Sequence, residues 1–137
     1  MADKQHKGRS MLVVYVSHPI RSDPLANEQK IHAICSMLYA QGIVPVAPYL
    51  LAMRALPHGS SFGDQRSIVR TTCEEYLARG FVDEMWLYGN EESKGMLDDI
   101  ELAFRYRLTN VVPQTPTTER VLQHFVNRQA AGLASVR

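Results

Sequence analysis

No apolar run in this 137-residue chain approaches the roughly 20 residues that a bilayer-spanning helix needs, and the stretch 11–16 is too brief for a signal-peptide core. Charge of one sign is also lacking. Fifteen Lys and Arg face fourteen Asp and Glu, a net charge of +1, so no global field draws in a nucleic acid polymer or an anionic membrane. Any anion that binds must be held locally. Cysteine is scarce: Cys35 and Cys73 sit in helical patterns without CxxC spacing, which reads as free thiols in a reducing cytoplasm. The five histidines, His6, His18, His32, His58 and His124, form no pair at metal-ligand spacing, and neither a metal nor a cofactor is expected. The loops GxxxxGKS/T, GxGxxG and GxSxG are absent, which leaves the common triphosphate, dinucleotide and serine-hydrolase devices unsupported.

What remains is an ordinary soluble composition, with enough apolar residues for one core and too few residues overall for a second. Residues 1–10 and 130–137 read as tails around a single domain at 11–129. Within it, strand and helix signals alternate. Residues 11–17 are a Val-rich run typical of a buried strand. Asp23-Pro24 offers an N-cap followed by Pro at the first helical position, Ile31, Ile34, Cys35 and Leu38 recur at helical spacing, and Gly42 ends the helix. Residues 43–47 make a second strand, put at a sheet edge by Pro45, and 49–56 a short helix. The loop 58–63 precedes a helix over 64–79 that turns Val69, Cys73, Tyr76 and Leu77 to one side. Residues 81–88 make a third strand with Trp86 in the core. Ser93 caps a helix with Met96, Ile100, Ala103 and Phe104 inward. Residues 110–112 make a fourth strand, and Thr117 or Thr118 caps a last helix with Leu122, Phe125 and Val126 on its face. Alternating strands and helices predict an α/β, flavodoxin-like three-layer sandwich. Its parallel sheet has four to five strands in the order 2-1-3-4, with helices on both faces.

That order makes the first and third strands neighbours at which the chain reverses direction, and ligands of open α/β sheets bind at the strand ends there. Two segments meet at this crevice: Tyr15 to Arg21, and Ser93 to Ile100. With Ser93 as cap, the amides of Gly95 and Met96 start a helix whose positive end suits a phosphate. Asp99 lies one turn further in, on the border of the apolar face. From pattern alone, complementing the helix dipole is the plainer role for Asp98, Asp99 and Glu101. Tyr15 ends a buried strand, so its hydroxyl needs a partner near the crevice, and a carboxylate is a fitting one. Arg21 stands where it could meet a phosphate or carboxylate, and His18 where it could touch a ligand or bond the backbone. Of the remaining acids Asp64, Glu74, Glu75, Asp83 and Glu84, one on the second long helix could reach the crevice as a general acid.

The pattern Tyr15-x-x-His18-Pro19-Ile20-Arg21, then Asp83-Glu84-x-Trp86 and Ser93-x-Gly95-Met96-x-x-Asp99-Ile100-x-x-Ala103, resembles the nucleoside 2-deoxyribosyltransferase-like superfamily. It is similar to the 2'-deoxynucleoside 5'-phosphate N-hydrolases over roughly residues 13–112. The resemblance implies cleavage of the N-glycosidic bond of a deoxynucleoside or its monophosphate. It implies that Asp99 is the nucleophilic carboxylate and that Tyr15 orients it. Arg21, Ser93 and the Gly95 amide would hold a 5'-phosphate, and Ile20 would pack on the base. It also implies a homo-oligomer, dimer or tetramer. The chain departs from those enzymes in three places. Asp99 stands where they have Glu, His18 replaces a small residue, and Cys73 falls near the position of a catalytic Asp, with Glu74 and Glu75 as neighbours.

The site residues expected are therefore Tyr15 and Asp99 for catalysis, with His18, Pro19, Ile20, Arg21, Ser93, Gly95 and Met96 for a small nucleoside or nucleotide. A module of the same fold that binds a nucleotide or nucleotide-sugar without turnover is the competing expectation. A protein-interaction domain, which predicts no nucleotide binding, leaves the paired strand-end segments unexplained.

Overall fold

The computed structural model describes residues 11–56 and 62–136; the expected tail at 1–10 and the loop positions 58–61 lie outside them. Valine-rich β1 (Val13–Ser17) is buried on both sides, with Val14, Tyr15 and Val16 wholly inaccessible, as a continuous apolar run at the centre of a parallel sheet requires. It leads through Asp23 into α1 (Pro24–Ala40). The Asp23 carboxylate accepts the Ala26 amide at 3.4 Å, Pro24 opens the first turn, and Gly42 follows at φ +78°. Next come β2 (Val44–Val46), α2 (Pro48–Ala55) and α3 (Phe62–Ala78), whose first turn takes up the last two positions of the expected loop. β3 (Glu84–Leu87), α4 (Lys94–Arg105), β4 (Asn110–Pro113) and α5 (Pro116–Val136) complete the order.

The sheet is α/β throughout: four parallel strands in the order β2-β1-β3-β4, with helices around it in the flavodoxin-like manner. Pro45, which has no ladder N–H, sits in edge strand β2. The register pairs Tyr15 with Met85 and Ser17 with Leu87. Strand side chains alternate between faces, so Tyr15 and Ser17 point to one side and Val14 and Val16 to the other. The step from β1 to β2 and the step from β2 to β3 run in opposite directions, so right-handed crossovers place α1 opposite α2, α3 and α4. Tyr15 meets Tyr49 of α2 at 6.2 Å between rings and Asp99 of α4 by a hydrogen bond, fixing the face those helices cover.

Four local expectations change. Thr115, not Thr117 or Thr118, caps α5: its hydroxyl accepts the Thr118 amide while the Thr118 hydroxyl accepts the Thr115 amide, both at 3.1 Å, a reciprocal capping box. Phe104 stays 43% exposed at the sheet's β4 edge, edge-on to Phe125 at 5.1 Å, while Leu102 is fully buried. Val126 is also exposed, and Val121 takes its inward place on α5. That helix runs through Val136, so residues 130–136 continue it instead of forming a tail, in keeping with the strong helix propensity of Gln129, Ala130 and Ala131. Among the described residues no helix is long and apolar enough to cross a membrane.

Candidate functional site

At the carboxyl ends of β1 and β3 a cavity of about 310 Å³ opens between the β1–α1 loop, α2, α3 and the start of α4. Its two lips are tied together. Ser22 donates its hydroxyl to Glu91 at 2.6 Å, and the buried Asn27 amide donates to the Ile20 carbonyl at 3.1 Å and to Ser22 at 3.3 Å. Behind them Gly89 adopts φ +103°, and a Cβ there would stand 2.6 Å from Pro19 Cδ. Only glycine meets both demands, and it lets the two strand exits close against each other.

The cavity floor is a carboxylate. Asp99, partly buried on α4, accepts the Tyr15 hydroxyl at 2.9 Å on Oδ1 and the Ser17 hydroxyl at 2.8 Å on Oδ2. Desolvation dominates its electrostatics and pushes the carboxyl up to about 7, although both hydroxyls and Arg70 favour its charged form and Asp98 opposes it. Burial, followed by the Asp99 charge, holds the Tyr15 phenol well above its ordinary value, so it is a proton donor throughout the useful pH range. Cys73 also lines the cavity, and burial pushes its thiol up to about 12, so it is a neutral thiol. Beside it Tyr49 donates its hydroxyl to the Val16 carbonyl.

The rim carries polar and charged groups from three elements. His18, Pro19, Ile20 and Arg21 come from the β1 exit, Ser93, Lys94 and Gly95 from the start of α4, and Arg66 and Arg70 from α3. His18 both lines the cavity and bonds the backbone: Nδ1 lies 2.7 Å from the Pro19 carbonyl as its donor, and burial lowers its pKa, so the ring is neutral with Nε2 as an acceptor. Desolvation, then the like charge of Arg66, lowers the pKa of Arg21.

One domain family matches this chain, that of DUF7768, a domain of unknown function, over residues 12–112, a stretch that runs from β1 through most of β4 and holds every cavity-lining residue. The chain belongs to the DUF7768 family. No curated protein matches it.

Set beside the sequence, the DUF7768 cavity brings together His18, Pro19, Ile20, Arg21, Ser93, Gly95 and Asp99, with Tyr15 bonded beneath them. Met96 does not join them: its side chain is core, and its amide donates to the Ser93 hydroxyl at 3.1 Å, so the cap consumes the donor expected to face a phosphate. Trp86 is half-buried on the opposite face, where its indole donates to Glu84 at 2.7 Å. Glu74 and Glu75 stay outside the cavity, occupied by Arg105 and Tyr106 and by Arg79 respectively. Asp83 accepts the Val13 amide, and the side chain of Asp64 lies outside the described residues. Sequence reasoning missed Ser17, whose place two residues after Tyr15 puts it on the same face, and Arg66 and Arg70, whose i,i+4 spacing stacks them on one side of α3. Among the described residues no group of three His, Cys, Asp or Glu side chains is placed to hold a metal ion.

Proposed function

We propose that this protein cleaves the N-glycosidic bond of a deoxynucleoside or deoxynucleoside 5'-monophosphate, by hydrolysis or by transfer to a second base. One observation carries the reading: a carboxylate held by two buried hydroxyls at the floor of a cavity whose rim offers Arg21, Ser93 and Gly95. Ionised Asp99 attacks the anomeric carbon as the bond to the base lengthens. The base leaves with the bonding pair and takes a proton from water. Water then adds to the anomeric carbon, loses a proton to solvent and frees the carboxylate. Tyr15 and Ser17 keep Asp99 in one orientation. A desolvated carboxylate stabilises developing positive charge on the sugar more strongly than a hydrated one, and it requires a pH near or above 7 to be charged. The free thiols Cys35 and Cys73 suit a cytoplasmic setting. The apolar groove beside β2, α2 and α3, with Leu51 and Ile68 exposed, suits association into a dimer or tetramer.

The test is incubation with a panel of deoxynucleosides and their monophosphates, followed by chromatography. Free base is expected, and release that is absent for every substrate, or undiminished in Asp99→Ala, overturns the reading. A second reading has its own support: α3 turns Arg66, Val69, Arg70 and Cys73 to the cavity and no carboxylate that could protonate a leaving base. That absence holds for the described side chains of α3; on that reading the domain binds a nucleotide or nucleotide-sugar as a sensor, and calorimetry finds tight binding without turnover.

A further inference from the structure

We propose that Arg66 and Arg70 of α3, gathered with Lys94 around the Asp98 carboxylate, form an anion-gripping wall of the cavity that selects a phosphate monoester over the uncharged nucleoside. The inference rests on the proposed function and narrows its substrate to the phosphorylated form.

Three cations converge on one carboxylate. Arg70 reaches Asp98 Oδ1 at 2.9 Å, Arg66 reaches Oδ2 at 3.3 Å and Lys94 reaches Oδ1 at 3.6 Å. Asp98 is largely buried, its side chain 15% exposed, while Arg66 and Arg70 are about twice as exposed and line the cavity. The three cations outnumber Asp98 where they meet it, Arg70 also meets Glu101 at 3.2 Å, and Glu91, Glu92 and Asp99 add carboxylates elsewhere in the lining, so the excess of positive charge belongs to this wall alone. Arg21 adds a fourth cation from the β1 exit, close enough to Arg66 for their charges to repel. Like charges held together in a partly desolvated wall are relieved by an anion placed between them. Glu91 and Glu92 also line the cavity, and Glu91 accepts the Ser22 hydroxyl at the lip.

The direction of the donors sets the class of anion. They arrive from the β1–α1 loop, from α3, and from the start of α4 with the Ser93 hydroxyl. Three directions suit a tetrahedral phosphate with three terminal oxygens, whereas a planar carboxylate presents two. A guanidinium carries five N–H donors, so Arg66 can serve Asp98 and a phosphate oxygen together. Asp98 then competes with the ligand for the same cation.

The experiment is calorimetry in phosphate-free, low-salt buffer with four probes: inorganic phosphate, deoxyribose 5-phosphate, a nucleoside and its 5'-monophosphate. Arg66→Gln is expected to weaken all phosphate-bearing probes by about tenfold, the scale of one charge-assisted hydrogen bond, and to leave the bare nucleoside within about twofold. Equal loss for nucleoside and nucleotide, or no loss, overturns the proposal, as does wild-type protein that binds neither phosphate nor the sugar phosphate. Asp98→Asn gives the opposite sign: freeing Arg66 from its carboxylate tightens phosphate binding, whereas a merely structural bridge between α3 and α4 predicts no gain. Should Arg66→Gln fail to fold, that second variant decides alone, and a fall or no change in phosphate affinity overturns the proposal. Phosphate binding without base release from any substrate leaves this inference standing and removes the proposed function. Equal turnover of nucleosides and monophosphates does the reverse.

Discussion

Replacing Asp99 by Asn should make the protein more stable relative to wild type as pH rises, although it removes the group that does the chemistry. In the folded state the Asp99 carboxyl is raised from 3.8 to about 7. Between those values the folded chain binds a proton that the unfolded chain has lost. The stability contributed by protonated Asp99 is therefore full below about pH 4, falls as pH rises, and is gone above about pH 7. Each tenfold difference in proton affinity is worth about 1.4 kcal/mol, which puts the ceiling near 4 kcal/mol. Asp99 is only partly buried and lines an open cavity, so solvent screening of the ionised form reduces this, and an effect of roughly 2 kcal/mol is the working expectation. Asn cannot ionise, and its single acceptor leaves either Tyr15 or Ser17 without one, a pH-independent cost of about 1 kcal/mol. Urea unfolding of both proteins from pH 4.5 to 8.5 measures the difference, and groups common to both cancel. The curve for Asn minus wild type should climb by about 2 kcal/mol and level off above pH 7. A difference that is flat across the range would show that Asp99 is ordinarily hydrated and would refute the desolvation reasoning.

Two further outcomes follow from the same geometry. Tyr15→Phe removes one donor from the charged carboxylate, so the acid limb of any base-release profile should move to higher pH with a loss of at least about tenfold in kcat; an unmoved limb, read from initial rates across pH, contradicts the positioning role. Gly89→Ala combines a positive φ with a Cβ 2.6 Å from Pro19, and thermal unfolding should report a loss of about 2–3 kcal/mol, while wild-type stability would mean that the two strand exits yield easily.

The sequence made the framework legible because its signals are local and repeated. Asp23-Pro24 announced a helix start, Pro45 an edge strand, and the buried strand end at Tyr15 demanded a partner that proved to be Asp99. The same signal of a capping residue followed by Pro stands at Thr115-Pro116, where two later threonines compete as caps. The Met96 side chain is inward, as the helical spacing requires, but its amide is not free for a ligand because the Ser93 cap occupies it. Ser17, Arg66 and Arg70 were illegible for a different reason. Ser17 is the last residue of a buried strand with nothing local to mark its hydroxyl as a carboxylate partner, and Arg66 and Arg70 flank the exposed Ile68 with no local sign of the cavity. Their meaning lies in partners more than 25 positions away, Asp98 and Asp99, which only the tertiary fold brings near.

The hydroxyl pair on Asp99 comes from residues two apart on a single strand, and that spacing makes the arrangement a matter of strand register. A one-residue insertion within β1 would swing the hydroxyl beyond it to the far face and part it from its companion. A slip of the whole strand by one position would turn both away and bring Val14 and Val16 against the carboxylate instead. An ionised Asp99 facing valine methyls would have no donor at all. The length of β1 is thus under two constraints at once, and the core and the cavity floor must change together or not at all.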